Sequence, residues 1–182
     1  MISSRLLYGA WLTAAARHHR ALAKALRSPE AAQQEVLRRI LRDNRESRAG
    51  RRLGFAAIDS PESFRRNVPL VRYADLAEEV EAIRKGESKV LTREPVRRLV
   101  PTGGSTGARK LIPFTRSLGR DFARGVGAWM VDLACRYPEI RSGPAYWSVS
   151  PALDPPQGSS AVPIGFDSDA AYLGRWLEPV VE

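Results

Sequence analysis

The sequence contains one cysteine, two histidines and two methionines, and it nowhere reaches the roughly 18 consecutive apolar residues of a membrane span. A single thiol, Cys135, can form neither an internal disulfide nor a thiolate metal cluster, so a reducing, cytoplasmic setting is expected. His18 and His19 are neighbours, about 100° apart on a helix, a poor arrangement for sharing a metal. Acid is scarce in the first third. Residues 1–66 carry 14 Lys and Arg against 6 Asp and Glu, whereas the remainder is nearly balanced at 15 against 14. The net charge of +9 is therefore a property of the N-terminal region, and arginine supplies 25 of the 29 cations.

What is present suits a folded chain. A hydrophobic fraction of 43% and an aromatic fraction of 8% over 182 residues are ordinary for a protein with a core. Helical spacing predicts a basic amphipathic helix over 4–26. Ser28-Pro29-Glu30 is a start signal for a second helix reaching about Arg48, with Gly50 just past its end. Ser60-Pro61-Glu62 repeats the signal and opens a short helix that stops before Pro69. A further helix is expected from Tyr73 to Gly86, with Leu76, Val80 and Ile83 turned inward and Glu78, Glu79 and Glu81 on a solvated face.

Short strands are expected at 89–92 (KVLT), 96–100 (VRRLV) and 110–114 (KLIPF). A helix over about 117–137 follows, with Leu118, Phe122, Val126, Met130, Leu133 and Tyr137 on its apolar side. Cys135 is expected within that helix as a small buried hydrophobe. "PAYWSVSP" reads as a buried strand, and "DSDAAYL", with Asp167 and Asp169, as a turn and helix cap rather than a magnesium site.

The segment "PTGGSTGARKLIPFT", residues 101–115, carries the chemistry. Glycines let backbone amides converge on one centre, hydroxyls add donors and a following lysine adds charge, a combination suited to phosphate. The Walker A pattern fails, because Ala108 and Arg109 separate Gly107 from Lys110 and Leu111 follows. The dinucleotide fingerprint fails too, because Gly103 and Gly104 are adjacent and no helix opens after Gly107. The β-leaning exit "LIPFT" makes the loop a connector between two strands.

A strand–loop–strand phosphate binder of this composition resembles the phosphate-binding motif of the GH3 acyl-acid amido synthetases, within the acyl-adenylate-forming superfamily. "SPESFRRNVPLVRYADLAEEVEAIRKGESKVLTREPV" is similar to the family's upstream segment, and "YPEIRSGPAYWSVSP" and "PIGFDSDAAYLG" to downstream segments of its bacterial members, so the likeness extends over about residues 30–175. The resemblance implies an α/β fold in which N-terminal helices (1–58) lead into the start of an adenylate-forming domain with a mixed sheet (59–182).

It also implies an ATP-dependent ligase, with Mg2+ accompanying the triphosphate, that adenylates a carboxylic acid and passes the acyl group to an amine or amino acid. By position in the motif, Thr102, Gly103, Gly104, Ser105, Thr106 and Gly107 wrap the phosphates and Lys110 adds charge, while strand alternation turns Arg109 to the other face. The helix after the loop lines the family's acyl pocket, which makes Phe122, Val126, Trp129 and Met130 substrate candidates beside the plainer reading of core packing. No residues are assigned to catalysis or to a metal.

Family members are several times longer, so this chain is expected to be an N-terminal fragment, inactive alone. Two alternatives stay open: an acyl-CoA synthetase-like adenylating enzyme, and a basic nucleic-acid or membrane-surface module built on residues 1–66. No specific nucleic-acid partner or membrane span is expected, and the oligomeric state is unassigned.

Overall fold

The computed structural model of the chain describes residues 4–102, 110–141 and 160–166. The order is α1 (Ser4–Ala25), α2 (Pro29–Asn44), α3 (Arg48–Arg52), a 3-10 turn (Phe55–Ala57), α4 (Pro61–Asn67), a second 3-10 turn (Tyr73–Leu76), α5 (Ala77–Arg84), β1 (Val96–Pro101), β2 (Leu111–Thr115), α6 (Arg116–Arg136) and a last 3-10 turn (Pro138–Arg141). The expected α/β fold is thus mostly helical with one small sheet, and it divides into two compact units. One contains α1 and α6; the other holds residues from Glu30 to Arg116 together with 160–165.

In the larger unit the core is Ala82 and Ile83 of α5, Val90, and Leu99 of β1, with Leu91, Val96, Leu111, Val162 and Ile164 packed around it. Leu99 is fully buried, as the alternation of a half-covered strand requires. α5 delivers Val80 and Ile83 inward at helical spacing. Ser60 caps α4 by accepting the Ser63 N–H at 3.2 Å, and the Ser63 hydroxyl accepts the Ser60 N–H at 3.1 Å.

Three expectations fail here for local reasons. The second helix stops at Asn44 because Ser47 caps a separate helix, α3. The Ser47 hydroxyl donates to the Asn44 carbonyl at 2.8 Å and accepts the Gly50 N–H at 2.9 Å, so Gly50 lies inside α3 rather than beyond a helix end. The 89–92 segment is no strand: Lys89 has φ 56°, and the carbonyls of Lys89 and Val90 accept the N–H groups of Arg48 and Ala49 in the first turn of α3. Its β-like apolar pattern serves burial of Val90 instead. The acidic face of α5 is only partly solvated, since Glu79 pairs with Arg52 at 2.7 Å and its side chain is largely covered.

In the smaller unit α1 packs Ala15 close to Gly127 of α6. The face of α6 that is covered is its small-residue face: Gly127, Ala128, Val131 and Ala134. Of the large apolar side chains expected inward, Leu118, Phe122 and Tyr137 are exposed, as is the neighbouring Trp129, while Val126, Met130 and Leu133 are half-buried. The lack of a side chain at Gly127 and the small one at Ala15 allow the two helices a close approach at that point. Cys135, expected to be buried, is exposed near the C-terminal end of α6. The segments "PAYWSVSP" and "DSDAAYL" lie outside the described residues.

Candidate phosphate-binding hairpin

β1 and β2 pair antiparallel, with Val100 opposite Ile112 and Pro101 opposite Leu111. The ladder closes on a bond from the Thr102 N–H to the Lys110 carbonyl at 2.9 Å, so the glycine-rich loop joins two hydrogen-bonded strands, as its exit sequence predicts. Antiparallel pairing alternates between residues that share hydrogen bonds and residues whose polar groups point away. With Thr102 and Lys110 a bonded pair, the backbone groups of Leu99, Pro101, Leu111 and Pro113 face outward.

The outward N–H and C=O groups of Leu99 and Leu111 all find partners. Leu99 donates to the Pro163 carbonyl and accepts from the Gly165 N–H, both at 2.8 Å, and forms a parallel bridge to Ile164 that makes the local pairing mixed. Arg98 fastens the same segment by donating to the Gly165 carbonyl at 2.8 Å. On the other edge, the Leu111 N–H donates to the Tyr73 hydroxyl at 2.7 Å, and that hydroxyl donates to the Leu111 carbonyl at 3.3 Å. Pro101 and Pro113 have no N–H to leave unpaired.

Of the expected phosphate-loop residues, the structure places Thr102, half-buried at the end of β1, and Lys110, exposed at the start of β2 with Nζ 5.9 Å from the centre of the Tyr73 ring. Gly103, Gly104, Ser105, Thr106 and Gly107, with Arg109, lie outside the described residues. Phe122 and Trp129 of α6 are 37% and 54% exposed, and Val126 and Met130 are half-buried. Tyr73 was overlooked as a site residue, because its link to β2 spans 38 residues and no local spacing announces it. Among the described residues no group of three or more His, Cys, Asp or Glu could hold a metal ion, and no helix is long and apolar enough to cross a membrane.

The model of the GH3 family N-terminal domain matches residues 18–165. The chain belongs to the GH3 family. Among GH3 relatives, the probable indole-3-acetic acid-amido synthetase GH3.12 of Oryza sativa subsp. japonica is 39% identical over 94 residues, which cover 50% of this chain and 15% of that protein. The rice jasmonoyl–L-amino acid synthetase GH3.3 is 40% identical over 88 residues, 47% of this chain and 19% of that protein.

A solved GH3.15 acyl acid amido synthetase in complex with 2,4-DB matches with TM-score 0.51 and 27% identity over 57% of this chain and 18% of that one. A second GH3.15 structure, at 23% identity and TM-score 0.58, shares the fold over 65% of this chain and 22% of its own. The chain thus spans less than a quarter of the length of these relatives.

Proposed function

We propose that this chain supplies the ATP-phosphate-binding part of a GH3 ligase that adenylates a carboxylic acid and conjugates it to an amino acid. The observation that carries the reading is the hairpin. A loop of glycine, serine and threonine is held between two hydrogen-bonded strands, with a lysine ammonium exposed at its base.

The donor set fits an anion. By composition, the amides and hydroxyls of residues 102–107, with the Lys110 charge, would suit phosphate oxygens, and such groups act best when fixed before charge develops. ATP would supply the activated α-phosphate that the acid's carboxylate attacks. Lys110 and Thr102 would hold and orient the triphosphate, and the Lys110 ammonium would offset negative charge as pyrophosphate departs. Magnesium would arrive with the nucleotide.

The acid would meet the large-residue face of α6, where Phe122, Val126, Trp129 and Met130 present apolar surface. Relatives described as indole-3-acetic acid and jasmonoyl synthetases favour an apolar, ring-bearing acid.

A 31P-NMR titration of MgATP with the intact chain and with Lys110→Ala tests the phosphate assignment. Binding by the parent, weakened about tenfold in the variant, is expected for loss of a charge-assisted contact. Absence of binding, or equal binding by both proteins, would overturn it. Salt provides the contrast with a basic surface module, whose binding to nucleic acid would fall steeply with salt and survive Lys110→Ala.

A further inference from the structure

Leu111 immediately follows Lys110, and its N–H and C=O face away from β1. A strand edge leaves such groups to water or to another chain. Here both are taken by one phenol: the Tyr73 hydroxyl accepts from the N–H at 2.7 Å and donates to the carbonyl at 3.3 Å. Tyr73 is half-buried and set at the start of a 3-10 turn whose entry is fixed by Asp75, which accepts the Arg72 N–H at 2.7 Å. α5, continuing from that turn, is anchored in the core through Ile83, which is 1% exposed. The phenol is therefore tied, through α5, to the core of the larger unit.

The ring of the same residue lies beneath the Lys110 ammonium, 5.9 Å from its centre, a distance at which a cation is attracted to an aromatic face. One side chain thus fixes the strand on which the lysine stands and offers a resting place for its charge.

We propose that Tyr73 is a positioning residue for nucleotide binding, holding the exit of the loop and aiming Lys110 at the triphosphate. This rests on the phosphate-binding reading above. The hydroxyl and the ring have separable parts. The hydroxyl keeps the Leu111 end of the loop from shifting, and the ring restricts the four rotatable bonds of the lysine, so less conformational freedom is lost when phosphate binds.

The test uses the intact chain, Tyr73→Phe, Tyr73→Leu, Lys110→Ala and the Tyr73→Leu/Lys110→Ala double variant. MgATP affinity is read by 31P NMR, amide exchange at Leu111 by NMR and folding by thermal melting. Tyr73→Phe keeps the ring but loses both hydrogen bonds of the hydroxyl to Leu111, and is expected to weaken MgATP about fivefold, with faster exchange at Leu111. Tyr73→Leu is expected to lose more, and the excess over Tyr73→Phe should vanish when Lys110 is already alanine.

Faster exchange with unchanged affinity in Tyr73→Phe would reduce Tyr73 to a structural prop and overturn the proposal. So would equal affinity in all Tyr73 variants, or full additivity with Lys110→Ala. Failure of the parent chain to bind MgATP would remove the phosphate reading itself and this inference with it. That outcome is distinct from a parent that binds and variants that bind as well.

Discussion

The backbone carbonyl oxygen of Asn44 lies 2.1 Å from the point where a Cβ on Gly50 would stand. No side chain fits there without moving backbone, so Gly50 permits the close return of α3 onto the end of α2. Gly50→Ala is expected to destabilise the larger unit by about 1–3 kcal/mol, the usual cost of overpacking. Chemical denaturation of the two proteins side by side checks this.

Ser60 and Ser63 close the start of α4 reciprocally. Ser60→Ala removes a side-chain cap and is expected to cost about 1 kcal/mol, whereas Ser60→Asp keeps an acceptor and should cost much less. Thermal melting of both variants separates loss of the cap from a general effect of substitution.

Two carboxylates carry an acid signature. The Ser63 hydroxyl, donating at 3.0 Å, and then Ser60 hold Asp59 below its ordinary value of 3.8, and the Arg84 guanidinium beside Glu81 holds that group below 4.5. A lowered carboxylate stabilises the fold above its unfolded value, and that contribution is lost as pH falls through the folded one. Stability is therefore expected to decline below about pH 4.5. In Ser63→Ala the Asp59 titration, followed by NMR, should move back up toward its ordinary value.

Leu99 is the most completely buried large side chain of β1 and touches the segment that pairs with the strand's far edge. Leu99→Ala is expected to cost about 2–5 kcal/mol. It should also speed amide exchange at Gly165, whose N–H bonds to the Leu99 carbonyl.

Trp129, on the large-residue face of α6, provides a test of substrate contact. In a full-length GH3 enzyme carrying this N-terminal segment, Trp129→Ala is expected to change the preference among aromatic and aliphatic acids by roughly tenfold, with little change in the KM for ATP. Unchanged acid preference would assign the exposed face of α6 to packing against other parts of the protein.

Much of this was legible in the sequence, and the failures share a cause. Caps at Ser60 and Pro61, the inward spacing of Val80 and Ile83, and the strand–loop–strand setting of residues 101–115 are written in neighbouring residues, where backbone geometry alone decides. What was missed depends on partners far along the chain. Lys89 and Val90 give their carbonyls to α3, Glu79 finds Arg52 across 27 residues, and Tyr73 finds Leu111 across 38. α6 misled for a different reason: large apolar side chains marked one face, but glycine and alanine on the other allowed the closer helix contact.

The bond from Arg98 to Gly165 joins groups 67 residues apart, and Leu99 waits almost as long for Pro163. During synthesis β1 and β2 leave the ribosome together and can zip at once, yet the far edge of β1 stays bare until all of α6 and the residues after it have been made. That interval is when the nascent chain is most open to wrong pairing with its neighbours on the same messenger. Slow codons between Arg116 and Ser160 should therefore lower the soluble yield without altering a single amino acid.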